Sequence, residues 1–335
     1  MTEVLITGAT GMLGRHLVDV LVEAGVSVRT LVRSSSDIRY LQEKGVALVE
    51  GDAGDRPSLS RAVEGMDLVF HVAGYLTAGS PFGDDNEAAD EEWALYKAIN
   101  VDFTEALLQA SLEAGVNRFV FVSSSAVYSI DAPVPTPEDA PLRPYSTYGR
   151  SKLMAEENVR AYQEKGLATT IIRPSITYGP GDRYFMPMAL RLARLPVLPL
   201  INGGHNSLDL VFAGDVAELL WHAGCSETGT GQVYNAGPGK HTSIYNLVQS
   251  YRRITGKGPI ILSVTPKTSR RTAWFARRLV KPFIAEAAAA LTPGGLSLIG
   301  RDLCMDMSRA AQDLGFYPRF DLDQGLARTL RGEET

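Results

Sequence analysis

The first half of the chain alternates short apolar runs with stretches in which apolar residues recur at helical spacing. Runs of this kind, bounded by glycine or proline, are typical of buried strands. Strands are predicted at residues 4–7, 26–33, 46–50, 67–73, 118–123 and 169–173. Helices are predicted between them, with the two longest ending near residues 114 and 165. Repeated strand–helix units predict an α/β fold with a doubly wound parallel sheet and helices on both faces.

The alternation stops after Pro174, where prolines and glycines become frequent and only scattered elements are predicted. At 335 residues and 45% hydrophobic composition, the chain is long enough to bury a large core. We therefore predict a nucleotide-binding domain that carries the catalytic residues at 1–174. Residues 175–330 are predicted to form mainly a smaller substrate-binding lobe, with some segments returning to the sheet.

Three glycines at intervals of three follow the first strand and precede the first helix. Gly8 permits a sharp turn, Gly11 lets a pyrophosphate approach the backbone, and Gly14 allows the helix to pack closely on the sheet. The free amides at the start of that helix would then face the phosphates. An ordinary tight turn would explain the glycines alone, but the order strand, glycines, helix favours a dinucleotide site of the Rossmann type.

The end of the second strand predicts which nucleotide binds. The adenosine ribose of NAD(H) has a free 2′-hydroxyl, which usually meets a carboxylate there. The ribose of NADP(H) carries a 2′-phosphate, which needs a cation. The chain has Arg33 followed by the three serines 34–36, and the first acid is Asp37. An arginine can form paired hydrogen bonds with a phosphate. NADP(H) is therefore favoured and NAD(H) stays possible, while a solvated Arg33 is the structural alternative.

A tyrosine and a lysine four residues apart, Tyr148 and Lys152, fall on a predicted helix and so share one face. A nearby cation favours the phenolate, so we expect the lysine to lower the pKa of the tyrosine toward acid–base chemistry at usable pH. Such a pair is also common on protein surfaces. The strand at 118–123 ends in serines, however, at the edge of a parallel sheet where ligands bind, and this favours a catalytic pair.

Composition narrows the function further. The formal net charge is −5, which argues against a nucleic-acid partner. Neither Cys225 nor Cys304 has metal or redox spacing, and His71, His205 and His241 are isolated in the sequence, so no metal site is predicted. The cysteines fit a reducing compartment, and the first strand begins at Val4 without a preceding signal peptide. Both features predict a cytoplasmic enzyme.

Taken together, these residues resemble the extended short-chain dehydrogenase/reductases of the NAD-dependent epimerase/dehydratase superfamily. Within that group the pattern is most similar to the branch of enzymes that resemble 3β-hydroxysteroid dehydrogenases. The resemblance covers nearly the whole chain. Its motifs are TGATGMLG at 7–14, GD at 51–52, HVAG at 71–74, NV at 100–101, SSSAVY at 123–128, YxxxK at 148–152 and RPSITYGP at 173–180.

The resemblance implies roles for four catalytic residues. Tyr148 would be the general acid and base, and Lys152 would lower its pKa and hold the nicotinamide ribose. Ser124 would hydrogen-bond the reacting oxygen, with Ser125 as the second choice. Asn100 would support the active site through its helix.

The resemblance also implies a nucleotide site. Asp52 would contact adenine, Ala73 and Gly74 would pass beneath the adenosine half, and Pro174 and Ser175 would border the nicotinamide. With the glycine motif and the second strand, the predicted contacts are Gly8, Thr10, Gly11, Met12, Leu13, Gly14, Arg33, Ser34, Asp52, Ala53, Ala73, Gly74, Tyr148, Lys152, Pro174 and Ser175. A homodimer through the helices that carry Asn100 and Tyr148 is implied as well.

The segment 204–212 bears on the substrate. Sugar-nucleotide enzymes of the family typically carry an arginine here that meets the diphosphate, and Leu208 occupies its place. A buried dianion needs cations, so we expect an apolar keto or hydroxy compound, steroid-like or long-chain, although Arg183 or Arg191 would supply charge in another arrangement. Two alternatives stay open: an epimerase or dehydratase that retains its nucleotide, and a nucleotide-sensing protein without turnover.

Residues 269–284 mix arginines and lysine with aromatic and aliphatic side chains. That composition fits a helix lying on a membrane surface. It also fits a helix that covers the substrate pocket, and this second interpretation is the preferred one. Pro282 and Glu286 interrupt the apolar run, so a transmembrane span is not expected.

Overall fold

A seven-stranded parallel sheet forms the core of the computed structural model, which describes residues 2–77, 90–265 and 300–332. The strands lie in the order β10-β6-β5-β4-β1-β2-β3. Their bounds are β1 Glu3–Thr7, β2 Ser27–Val32, β3 Ala47–Glu50, β4 Leu68–His71, β5 Arg118–Val122, β6 Thr169–Pro174 and β10 Val233–Ala236. The predicted α/β fold with a doubly wound parallel sheet is thereby confirmed.

Helices cover both faces of this sheet. In the described ranges they are α1 Met12–Glu23, α2 Arg39–Glu43, α3 Arg56–Val63, α4 Asp90–Tyr96, α5 Phe103–Glu113, α6 Thr147–Glu164, α7 Phe185–Ala193, α8 Ala213–Cys225, α9 Ile244–Thr255, α10 Ser308–Leu314 and α11 Leu322–Arg331. One apolar cluster fills the space between the sheet and α1 and α8, and a second lies between the sheet and α3, α5 and α6. None of these helices combines the length and the apolar character that crossing a membrane requires.

The remaining strands belong to two small parallel pairs. Strand β7 (Ile176–Tyr178) pairs with β9 (Leu210–Phe212), and β8 (Val197–Ile201) pairs with β11 (Ile260–Val264). A third apolar cluster joins β7, β9, α7 and α11 beside the large sheet. The segment after Pro174 therefore returns one strand, β10, to the large sheet and places the others next to it.

The strand order reverses beside β1, whose neighbours are β2 on one side and β4 on the other. In open parallel sheets a crevice forms at such a point, beyond the carboxyl ends of the strands, and ligands bind there. Thr7 at the end of β1 is paired with His71 at the end of β4. The glycine turn after Thr7 and the segment after His71 consequently meet at the crevice.

Candidate active site

A cavity of about 920 Å³ runs along the carboxyl ends of the strands, from the end of β2 to the C-terminal segment around Cys304. Its walls come from the glycine turn, the ends of β4, β5 and β6, and the loops beyond Pro174. Because both halves of the chain contribute, the cavity can hold a nucleotide and a second molecule side by side.

The glycine turn is shaped by close backbone contacts. Gly8 has φ +79°, and a Cβ there would lie 2.7 Å from the Ala73 nitrogen. A Cβ on Gly14 would lie 2.2 Å from the Gly8 oxygen. Gly11 is the N-cap of α1 and offers no side chain to the first-turn amides. The residues that carry those amides, 12–14, line the cavity, and the first-turn amides of a helix are the groups that bind anions.

Most of the residues predicted to contact the nucleotide line this cavity. They are Gly8, Thr10, Gly11, Met12, Leu13, Gly14, Arg33, Asp52, Ala53, Ala73, Gly74, Tyr148, Lys152, Pro174 and Ser175. The hydroxyl of Ser175 is buried and has no hydrogen-bond partner among the described residues, so it is available to a bound molecule. Glycine turn, helix amides and this hydroxyl together fit a nicotinamide dinucleotide.

Ser34 is an exception, because it does not line the cavity whereas its neighbours Ser35 and Ser36 do. The turn after β2 explains the difference, since the Ser36 amide donates to the Arg33 oxygen at 2.9 Å and folds the chain back. Asp37 also borders the cavity, and its carboxylate is paired with Arg39 at 2.7 Å. This pairing keeps a cation beside the Asp37 carboxylate.

Helix α6 brings the predicted catalytic pair to the cavity. Its N-cap Ser146 accepts a hydrogen bond from the Gly149 amide at 3.1 Å, which fixes the first turn that carries Tyr148. Lys152 lies one turn further and its ammonium is 4.3 Å from the centre of the Phe121 ring. Ser124, two residues beyond β5, lines the cavity together with Tyr148, and its hydroxyl favours the ionised form of that tyrosine. The three side chains predicted to act together are therefore close in space, while Ser125 also lines the cavity.

Burial dominates the protonation of this pair. It raises the pKa of Tyr148 to about 12, against the hydrogen bond from Ser124, and it lowers the pKa of Lys152 to about 7, against the charge of Glu156. The prediction of a lowered pKa for Tyr148 is thus wrong for this structure, because desolvation raises that pKa. Tyr148 is a neutral phenol at physiological pH and is suited to donate a proton.

Asn100 lies behind the cavity instead of lining it. Its side chain accepts from the Tyr75 amide at 2.7 Å and donates to the Tyr75 oxygen at 3.0 Å and to Ser151 at 2.9 Å. The Ser151 hydroxyl in turn donates to the backbone carbonyl oxygen of Tyr148 at 2.7 Å. Asn100 thus connects the segment after β4 to the turn of α6 that carries Tyr148. It lies in a π-helix, Lys97–Asp102, where an α-helix was predicted; π-helical turns are frequent at functional sites.

A buried ion pair supports the same helix and was not predicted. Arg173 at the end of β6 donates to both carboxylate oxygens of Glu156, at 2.8 and 2.7 Å, and both side chains are fully buried. Ser123 also donates to Glu156, at 2.6 Å. Glu156 is one turn beyond Lys152 on α6, so the pair ties the catalytic helix to β5 and β6. The sequence analysis included Arg173 only as the first residue of the RPSITYGP motif and assigned it no role.

Two of the histidines, His71 and His241, have different surroundings in the fold. His71 is fully buried between Thr7 at 2.6 Å and Thr104 at 2.8 Å, and burial lowers its pKa to about 3. It is a neutral core residue, as its isolation in the sequence indicated. His241 is not isolated in the fold, because its Nδ1 lies 3.1 Å from a carboxylate oxygen of Asp209, with Cys304 beside them.

Comparison with known proteins places this site in a family. The chain matches the model of the NAD dependent epimerase/dehydratase family over residues 4–237. It is similar to the 4-hydroxy-2-methyl-3-oxo-4-farnesyl-3,4-dihydroquinoline-1-oxide ketoreductase of Stigmatella aurantiaca, with 27% identity over 96% of this chain and 93% of that protein. It is also similar to the 2-alkyl-3-oxoalkanoate reductase of Stenotrophomonas maltophilia, with 27% identity over 97% and 98%.

A solved structure of the protein MoeE5 in complex with UDP-glucose and NAD has the same fold. It is 28% identical, each chain covers 98% of the other, and the TM-score is 0.73. Proteins of this group are dehydrogenases, reductases and epimerases that use a nicotinamide nucleotide on CH–OH or keto groups. With its glycine turn, its cavity and its match over residues 4–237, the chain belongs to the NAD-dependent epimerase/dehydratase family.

Proposed function

We propose that the protein is an NADP(H)-dependent oxidoreductase that acts on an apolar ketone or the corresponding alcohol. The observation that carries the proposal is that Leu208 is buried and lines the cavity. The family resemblance implies that Leu208 stands where sugar-nucleotide enzymes carry an arginine. A pocket lined in this way accommodates an apolar body better than a diphosphate.

The apolar character extends around Leu208. Its amide donates to the Thr242 oxygen at 2.9 Å and it forms a bridge with Leu303, so its position is fixed by backbone contacts. Other apolar side chains also line the cavity, namely Ile176, Phe185, Met188, Leu303 and Met305. Among the described residues that line the cavity, Arg183 is the arginine on this side, since Arg15 and Arg33 lie at the adenosine end.

The protein's own groups carry the proton chemistry. A bound nicotinamide nucleotide supplies or accepts the hydride. In reduction, the hydroxyl of Tyr148 donates its proton to the carbonyl oxygen, and Ser124 stabilises the developing negative charge with a hydrogen bond. Lys152, whose pKa burial lowers to about 7, lies one helical turn from Tyr148 and in its charged form would attract the phenolate that remains. With its pKa raised by burial, Tyr148 is a neutral phenol and holds the proton that reduction of a ketone requires.

The relatives support the same reaction class. Two of them are named as a ketoreductase and an oxoalkanoate reductase, and both names describe reduction of a keto group. The second candidate is a sugar-nucleotide epimerase or dehydratase, which the UDP-glucose in the MoeE5 structure and the position of Arg183 favour. NADPH consumption with a panel of hydrophobic ketones separates them, because only a reductase consumes the nucleotide stoichiometrically. A protein that binds the nucleotide without any turnover would be a sensor.

Binding of UDP provides the most direct test of the substrate class. We expect calorimetric titration to detect no micromolar binding, because the pocket has Leu208 where a diphosphate would need an arginine. The titration is repeated with Arg183→Ala and with Arg191→Ala. Micromolar binding that either variant abolishes would show that another arginine holds the phosphates, and the epimerase or dehydratase would then be preferred.

The nucleotide preference depends on Arg33. If its guanidinium binds the 2′-phosphate, Arg33→Ala should weaken NADPH binding by about 1.5–3 kcal/mol, the range for hydrogen bonds to charged groups, and leave NADH binding nearly unchanged. Arg253→Ala is the control, since Arg253 is engaged by Asp323 and does not line the cavity. Titration of both nucleotides by fluorescence measures the effect. Equal losses for the two nucleotides, or a wild-type preference for NADH, would contradict this assignment.

A further inference from the structure

Three side chains of the types that bind metals meet at the substrate end of the cavity. They are Asp209, His241 and Cys304, and one ligand atom of each lies within 4.8 Å of the others. Asp209 and Cys304 are buried and line the cavity, whereas His241 is partly exposed, with 46% of its side chain accessible. None of the three has a part in the reaction proposed above.

Hydrogen bonds from backbone and side-chain groups hold the three segments together. The Asp209 amide donates to the Leu303 oxygen at 3.0 Å, and the Met305 amide donates to the Asp209 carboxylate at 2.8 Å. The side-chain hydroxyl of Thr242, next to His241, accepts from the Leu210 amide at 2.9 Å and donates to the backbone carbonyl oxygen of Leu208. The cluster is therefore built before any ligand arrives, with His241 as the member most free to adjust.

The donor set specifies the kind of ion. A carboxylate oxygen, an imidazole nitrogen and a thiolate sulfur suit a borderline-soft divalent cation such as Zn²⁺ and suit Mg²⁺ or Ca²⁺ poorly. Ionised Asp209 and Cys304 would supply two negative charges, which balance one divalent cation. Burial raises the pKa of both groups, so without a cation the site disfavours the doubly charged form.

We propose that Asp209, His241 and Cys304 form a site for Zn²⁺ or a similar cation. Three protein ligands leave a fourth position of a tetrahedral site open. Because Asp209 and Cys304 line the cavity, that position faces the space for the substrate. Water or a second oxygen of the substrate would complete the coordination there. Binding would replace the contact between His241 and Asp209 and would release the thiol proton of Cys304.

Titration of the purified full-length protein with Co²⁺, under reducing conditions, tests this site. Thiolate coordination gives Co²⁺ a near-ultraviolet absorption band that carboxylate and imidazole ligands alone do not give. We expect this band to saturate at one equivalent and to disappear when Zn²⁺ is added. The readout needs no nucleotide or substrate, so it stands apart from the outcome of the ketone panel.

The two cysteines provide a matched control. Cys304→Ser should abolish the thiolate band, whereas Cys225→Ser, at an exposed position on α8, should leave it unchanged. His241→Gln and Asp209→Asn should each weaken Co²⁺ binding by at least tenfold, and both keep hydrogen-bonding groups so that the fold is retained. Circular dichroism verifies folding of each variant. Absence of the band in the wild type, or a band that Cys304→Ser leaves intact, would overturn the proposal.

Discussion

Replacing Tyr148 by phenylalanine is expected to lower turnover by about 10²–10⁴-fold, the contribution of a positioned general acid. The ring stays in place and only the hydroxyl is lost, so NADPH affinity should change little. The variant then lacks the proton donor assigned to the carbonyl oxygen. Steady-state rates with the best ketone of the panel, together with a nucleotide titration, measure the two quantities.

Tyr96→Phe is the matched control for this change. Tyr96 is fully buried, and its ring centre lies 6.3 Å from that of Tyr148. Loss of its hydroxyl removes a neighbouring phenol without removing the proton donor. We expect it to retain most of the activity. If Tyr148→Phe kept more than about one hundredth of the wild-type rate, another group would have to be the acid.

Replacement of Arg173 by methionine is expected to lower the free energy of unfolding by about 3–5 kcal/mol, because it leaves the Glu156 carboxylate buried without its main partner. Burial opposes ionisation of Glu156, but the hydrogen bonds and charge of Arg173 outweigh it and hold the pKa of Glu156 below its usual range. The pair therefore stabilises the fold at neutral pH, and this contribution is lost as the pH falls below the ordinary carboxyl range. Urea unfolding at pH 7 measures the loss.

A second ion pair of the same geometry isolates the effect of burial. Arg253 also contacts both carboxylate oxygens of one acid, Asp323, at 2.9 and 2.6 Å, but the two side chains are about half exposed. Arg253→Met should change stability far less, because water replaces the lost partner. The double change Arg173→Met with Glu156→Met should recover much of the stability. Equal losses from the two arginine variants would refute the assigned role of burial.

Features that depend on residues close together in the sequence could be predicted from it. The glycine turn, the strands of the first half and the helix that carries Tyr148 and Lys152 each follow from patterns within a few residues. The close approach of Gly8 to Ala73 was not predicted, because it joins two segments far apart in the sequence. These local patterns determine the nucleotide end of the cavity.

Contacts between distant segments were beyond the sequence patterns. The Arg173 and Glu156 pair joins a strand to a helix, and nothing in the spacing of the two residues indicates that contact. The cluster around His241 needs three loops to converge, so the histidine looked isolated. The pKa of Tyr148 was predicted in the wrong direction because burial cannot be read from a four-residue spacing. Residues 269–284 lie outside the described ranges, and the choice between membrane surface and pocket cover stays a prediction, as does the dimer.

The short segment before α10 lets the substrate end of the cavity change in sequence independently of the nucleotide end. Residues 303–305 reach the substrate end through backbone contacts with Ser207, Asp209 and Thr136, outside the seven-stranded sheet. Substitutions in these loops alter the wall that a substrate meets and leave the glycine turn and the core beneath it untouched. Evolution can therefore exchange substrate preference in this architecture at small risk to nucleotide binding, and the same loops are the natural place to randomise in a directed-evolution library.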